Sequence, residues 1–367
     1  MISLKESPVK TRLVSKNPIV KKINEGEAKE GILDLLLSKQ LPFTEEEYLE
    51  SLVFLINNEK YKSKALSLLK QVPESTKTNY IEKREANHRV AYFIIFDALS
   101  GGNVKIIAKA IRNQALPYEF LLKIAEKGDI SMLEMLLDNQ IKLIAYPEIM
   151  EAMENNAEVN NFVKIKIKEI RDFYLREESA EEIPVEDVLS DDVVKEAISE
   201  ERPGEMKRDE DEEGQLDDMG SIKVEERALS TLQEINKMSI SDRIKLALGG
   251  NKTHRMILVK DPNKMVALSV VESPKVTADE VVLLARNKSI DSEIIAKIAN
   301  NREWTKNYPV ILELVHNPKT PIKSSLGFVK KLYLRDLKLL SQDKNINPVV
   351  RNLIVNFYRE KTSVKKQ

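Results

Sequence analysis

The chain stops and restarts its helices at a recurring polar turn, and that recurrence decides what it can fold into. The stretch "HNPKTP" (316–321) lies between the apolar runs "YPVILELV" and "IKSSLGFVKKL". Related turns centre on Asp261 ("KDPNKM"), Ser273 ("ESPKVT"), Asn287 ("RNKSID"), Asn301 ("NNREWT"), Asn317 and Asp343 ("QDKNIN"). The first five pivots are 12, 14, 14 and 16 residues apart, and the gap of 26 to the last leaves room for one degenerate turn near "YLRDLK". Asn, Asp and Ser satisfy backbone groups left open at helix ends, and Asn also tolerates left-handed dihedrals. A following proline cannot continue a helix, but it can preset a turn or start a new first turn. Three residues past most pivots stands a residue able to point inward: Val276, Ile290, Trp304, Thr320 and Ile346. An apolar pair then opens the next helix, as in Val281-Val282, Ile294-Ile295, Val310-Ile311 and Val349-Val350. Helices of about 8–10 residues are marginal alone. Repeated at a fixed period, each burying one stripe on the next, they describe an α-solenoid. In this register Val281, Ile294, Ile298, Val310 and Leu314 face inward.

Residues 20–175 carry a looser version. "SKQLPFTEEEYLESLVFLI", "RNQALPYEFLLKIAEKG" and "DNQIKLIAYPEIMEAMENN" share a Gln, a Pro near an aromatic, and an amphipathic helix. The segment "ANHRVAYFIIFDALSGG" is apolar nearly all round and reads as a central helix. The two halves end alike, "VKIKIKEIRDFYLRE" against "VVRNLIVNFYREK". The expected layout is a tail over 1–19, a helical-repeat domain over 20–175, an acidic and mostly disordered linker over 176–225, a basic helical-repeat domain over 226–360, and a tail over 361–367.

The segment from "MSISDRIKLALGGNKTHRMILVKDPNKMVALSVVESPKVTADEVVLLAR" through "NNREW", "HNPKTP" and "RDLKLLSQDKNINPVVRNL" is similar to leucine-rich-repeat-variant and HEAT-like repeats. Its "GNK", "DPN", "NREW" and "NPKTP" signatures also resemble a bacterial helical-repeat family of unassigned function. The resemblance covers about residues 238–358 and implies a fold only, since such folds carry many functions. The iron–sulfur cysteines found beside some leucine-rich-repeat-variant arrays are missing, so no cluster is implied. The fold expected is therefore all-α, an α-solenoid of short HEAT-like or leucine-rich-repeat-variant repeats in two arrays joined by an acidic linker.

Composition narrows the function. Eleven glycines in 367 residues suit long helical runs with tight connections, and the absence of Cys excludes disulfides and zinc–thiolate sites. No leader-like apolar core opens the chain, and no run approaches about 18 apolar residues. A cytoplasmic location with no membrane insertion is expected. The formal net charge of −1 hides an asymmetry: +1 over 1–175, −15 over 176–226 and +13 over 227–367. The acidic stretch reads as a solvated spacer. One part of it, "IPVEDVLSDDVVKEAI", sets Val188, Leu189, Val193, Val194, Ala197 and Ile198 near helical spacing, which allows a short helix when docked.

Signals for chemistry are weak. The three histidines, His88, His254 and His316, lack partners at metal-ligand spacing, and His316 reads as a helix-end residue. "GGNK" (249–252) lacks the phosphate-loop pattern and reads as a helix end with a left-handed glycine. "DEDEEGQLDDMG" puts Gly220 where a calcium loop needs a bidentate Glu. No nucleophile–base signature appears, so no enzymatic activity and no cofactor are expected. Trp304 reads as core. The remaining candidate is an acidic-partner surface on the basic domain, formed by Lys252, Arg255, Arg286, Arg302, Lys306, Arg335, Lys338 and Arg351. The expected function is a scaffold or adaptor for a protein partner, with the acidic linker masking the basic domain. Nucleic-acid binding through the basic stripe is the alternative. "REWTKNY" is the one place where aromatics and basics interleave as base stacking would need.

Overall fold

The structure, a computed structural model, describes residues 16–83, 85–174, 181–200 and 216–363. The chain is all-α, 71% helical, with 24 helices and no strand among the described residues. It divides into two compact units, Met1–Arg176 and Glu177–Gln367. The first helix, Pro18–Glu25, starts inside the stretch read as a tail, and the last, Pro348–Ser363, runs beyond residue 360. Residues 1–15 and 364–367 of the two expected tails lie outside the described residues.

The polar turns work as their chemistry requires. At all six pivots (Asp261, Ser273, Asn287, Asn301, Asn317 and Asp343) the side-chain oxygen accepts the backbone N–H two residues on, at 2.7 to 3.3 Å. Several pivots also tie one turn to an earlier one. Ser273 Oγ donates to Leu248 O at 2.8 Å, and Asn317 Nδ2 donates to Ala285 O at 2.8 Å and Asn287 O at 3.2 Å. The first unit uses the same device: Asn113 reaches Ile81 O, Asn139 reaches Ile111 O, and Asn156 reaches Ala125 O and Gly128 O. Each bond satisfies a carbonyl left open at the end of a helix.

Lysines set just past the turns do similar work. Lys275 Nζ donates to Gly249 O, Lys319 Nζ to Ile290 O at 2.7 Å, and Lys142 Nζ to Leu116 O at 3.4 Å. Gly249 ends a helix, where an ammonium is favourable, whereas Ile290 and Leu116 precede helices and their carbonyls gain only a hydrogen-bond donor. Part of the basic surplus is therefore internal fastening.

Between the turns, Val276, Ile290, Trp304, Thr320 and Ile346 are all buried, as are Val281, Ile294, Ile298, Val310 and Leu314. Within the apolar pairs Val282 is half-buried and Val349 exposed, while Val281 and Val350 beside them are buried. In the second unit, helix Lys264–Glu272 packs between Ile240–Gly249 and Ser292–Asn300, while Ala278–Arg286 packs on Tyr308–His316. In the first unit, His88–Ser100 buries Val90, Ala91, Phe93, Ile94, Ile95 and Ala98. It contacts Glu45–Leu55, Glu74–Ile81, Val104–Arg112 and Tyr118–Lys127, and so stands at the centre of that core.

The "GGNK" turn corrects one expectation. Gly250 is extended, with φ −69° and ψ −172°, and among the described residues the positive-φ glycines are Gly26 and Gly102. Gly250 is needed for space: a Cβ there would lie 2.5 Å from Leu246 O and 2.9 Å from His254 Nδ1. Asn251 caps the next helix by accepting the His254 N–H at 2.9 Å. His316 ends the Tyr308–His316 helix, as its sequence position suggests, and its Nε2 meets the Asp343 carboxylate.

Candidate functional site

The acidic stretch expected to be a spacer contains structure. Residues 185–189 and 192–200 are helical, and the 21-residue helix Leu216–Asn236 runs through residue 225, the expected end of the linker. Ile183, Val188, Val194 and Ala197 are buried, which is the physical reason this part is not solvated. The Asp192–Glu200 helix packs on Lys252–Leu258 and Ala278–Arg286. Residues 201–215, including most of the calcium-like "DEDEEGQLDDMG", lie outside the described residues.

Three fixings hold this segment. At its start, Asn236 brackets Ile183, accepting its N–H at 2.9 Å and donating to its carbonyl at 3.2 Å. Beside this clamp lies Arg243, a fully buried cation that sequence reasoning missed. It donates to Glu181 O at 2.8 Å, Asp261 Oδ2 at 2.9 Å, Ile235 O at 3.1 Å and Asn236 O at 3.2 Å. Burial pushes the Asp261 carboxyl up, against the pull of the Asn263 N–H and of Arg243.

Asp191 is the second fixing. Its Oδ1 accepts Val193 N at 2.9 Å and Val194 N at 3.3 Å, capping the Asp192–Glu200 helix. Its Oδ2 receives Asn287 Nδ2 at 2.7 Å, Ser289 Oγ at 3.0 Å and the Lys260 ammonium. The side chains of Lys260 and Asp191 are only 7% and 8% exposed. Burial pushes the Asp191 carboxyl up, but the bonds from Lys260, Asn287 and Ser289 outweigh it and hold it below the ordinary carboxylate range. Asn317, a pivot of the same kind as Asn287, spends its amide on carbonyls of an earlier turn. Asn287 spends its amide on this carboxylate. Beside the contact is an open cleft of about 760 Å³, lined by the segment's own Asp187 and Ser190 as well as by Lys264, Lys288 and Lys319. The third fixing is the half-exposed ion pair between Arg286 and Glu196.

The structure does not bring the eight sequence-derived surface residues into one site. Arg255 is in the core, 3% exposed, with Nε and Nη2 on the Glu280 carboxylate and Nη1 on Gly250 O. It is not offered to a partner. Arg286 is engaged by Glu196. Lys252 and Arg351 are half-buried. Arg302, Lys306, Arg335 and Lys338 are exposed, with Lys306 paired to Glu303 at 2.7 Å. The residues that form the contact are Asp191, Lys260, Asn287 and Ser289. "LSDDVV" offered the signal for Asp191, since a polar residue before an apolar run is a helix N-cap pattern.

No family model matches this chain, and neither does any curated protein or solved structure. Among the described residues no cluster of His, Cys, Asp or Glu could hold a metal ion, and no helix is long and apolar enough to cross a membrane.

Proposed function

We propose that the chain is a non-enzymatic adaptor, an α-solenoid of HEAT-like or leucine-rich-repeat-variant type. Its second unit recognises an acidic amphipathic helix of a protein partner in the groove that its own residues 181–200 occupy. The turn-to-turn hydrogen bonds support the repeat reading, because they recur at separations of 25 to 32 residues in both units. The cradle around Asp191 carries the recognition reading. Three donors converge on one carboxylate oxygen, beside apolar contacts that fix the helix. A partner helix with an acidic N-cap followed by paired apolar residues offers the same groups. Covalent attachment gives the chain's own segment an effective concentration of up to about millimolar, so the segment masks the groove until it is outcompeted.

The test uses full-length protein carrying Asp191→Lys and Val194→Asp, which unseat the native segment, and a labelled peptide of residues 181–200. The unseated protein takes up the peptide, and wild type binds it at least about tenfold more weakly. If the variant melts cooperatively and binds no peptide, the segment is an integral part of the unit and the reading fails.

One observation favours nucleic acid as a second reading. Tyr333 stacks on Tyr308 with ring centroids 4.2 Å apart and is 63% exposed. Arg335 and Lys338, near Tyr333 in sequence, and Lys306, near Tyr308, are exposed as well. A stacked aromatic with basic neighbours is a platform for unpaired bases. Single-stranded DNA should then bind with an affinity that falls steeply with salt and drops on Tyr333→Ala.

A further inference from the structure

We propose that the outer face of the Asn161–Tyr174 helix, in the first unit, is a docking site for a basic amphipathic helix of a partner protein. Val163, Ile167 and Ile170 turn into the core. The same helix presents Phe162, Ile165 and Phe173 to solvent, at 52%, 57% and 78% exposure. At about 100° and 1.5 Å per residue, Phe162 and Phe173 fall on one line of the helix about 16 Å apart. That is close to three turns of a second helix.

Between this line and the turn at 137–140 lies a groove of about 840 Å³. Leu137 and Ile170 supply its apolar floor, with Phe162 and Phe173 on the wall. Its rim is acidic: Glu134, Asp138, Glu169 and Asp172 line it against one cation, Lys166, which is already paired with Glu169 at 2.7 Å. The face of a helix that covers nothing is normally polar, because solubility demands it. Two exposed phenylalanines set inside a ring of carboxylates are instead the two halves of a recognition surface. An amphipathic helix with apolar residues at i, i+4, i+7 and i+11 lays that stripe between the phenylalanines. Lysines or arginines flanking the stripe meet Asp138 and Asp172, and an acidic helix is repelled by the same rim.

This surface is independent of the Asp191 groove. The test uses the full chain and a labelled amphipathic peptide of about 18 residues, leucines on one face and lysines on the other, with a glutamate-for-lysine peptide as control. The lysine peptide binds saturably at physiological salt, and the glutamate peptide binds at least about tenfold more weakly. Phe162→Ser with Phe173→Ser lowers affinity for the lysine peptide about tenfold or more. Asp138→Lys with Asp172→Lys does so independently, by reversing charge at two exposed positions. Equal binding of both peptides overturns the proposal. So does lysine-peptide binding that neither double variant weakens, which would place the peptide on the acidic stretch of the second unit. A dimer in sedimentation that the phenylalanine variant dissociates also overturns it, because the occupant would then be a second copy of this chain.

Discussion

Arg255 and Glu280 lie fork to fork inside the second unit, with Nε and Nη2 donating at 2.7 and 2.8 Å to the two carboxylate oxygens. The side chains are 4% and 3% exposed, so neither charge has water to fall back on. Arg255→Ala strands a buried carboxylate and should cost about 3–5 kcal/mol. Arg255→Lys keeps the charge but loses the planar fork, and falls between. Urea unfolding followed on the second unit measures both; a loss under about 1 kcal/mol for the alanine variant contradicts this account.

Asn317 should be the most sensitive of the polar pivots. Its amide holds two carbonyls of an earlier turn while its oxygen closes its own. Asn317→Ala leaves buried carbonyls unsatisfied, at about 1–3 kcal/mol. Asn317→Asp should be worse, because a carboxylate has no proton to give those carbonyls and repels them. Equilibrium denaturation of the two variants ranks them.

Lys142 makes the first unit's stability depend on alkaline pH. Burial lowers its ammonium from 10.5 to about 8, although the Glu119 carboxylate opposes the shift. Between about pH 8 and 10.5 the unfolded chain binds the proton and the folded one does not, so stability rises with pH across that window. Lys142→Met should raise the melting temperature of the first unit at pH 7 and flatten its rise toward pH 10. Thermal melts at the two pH values decide it; an equal rise in variant and wild type assigns the effect elsewhere.

Asp191 sets an acid limit on the docked segment. Its folded-state pKa lies below the ordinary 3.8, so its contribution is complete above that value and is lost only as pH falls through the lower folded one. The segment should stay seated from neutral pH down to about pH 4 and loosen below it. Hydrogen exchange at the Val193 and Val194 amides reports this directly. Asp191→Asn should weaken seating at neutral pH, by leaving Lys260 without its charge partner, and remove the acid step.

The turns were legible in the sequence because their chemistry is local. An Asn that accepts the N–H two residues on does so with groups the chain itself supplies, and the residue three places later follows into the core. The destinations of the cations were not legible. Lys252 and Arg255 stand three residues apart on one helix, yet one is half-buried and the other meets a carboxylate 25 residues away. Lys260 meets a carboxylate 69 residues away. No local pattern carries such pairings. The docked segment was half legible: its apolar spacing was present, but its charge density argued for solvent, and only the counter-charges on distant turns decide between the two.

The two oxygens of Asp191 face different tasks, one closing the turn that starts a nine-residue helix and the other gripped by the groove. A helix that short does not persist in water by itself. Losing the grip therefore loosens the cap, and losing the cap misdirects the grip. The segment has no half-seated state in which a folded helix waits beside an empty groove. Its departure and its melting are one event, and on the proposed reading a competitor would bind with an apparent affinity reduced by the small fraction of molecules in which the segment is already out.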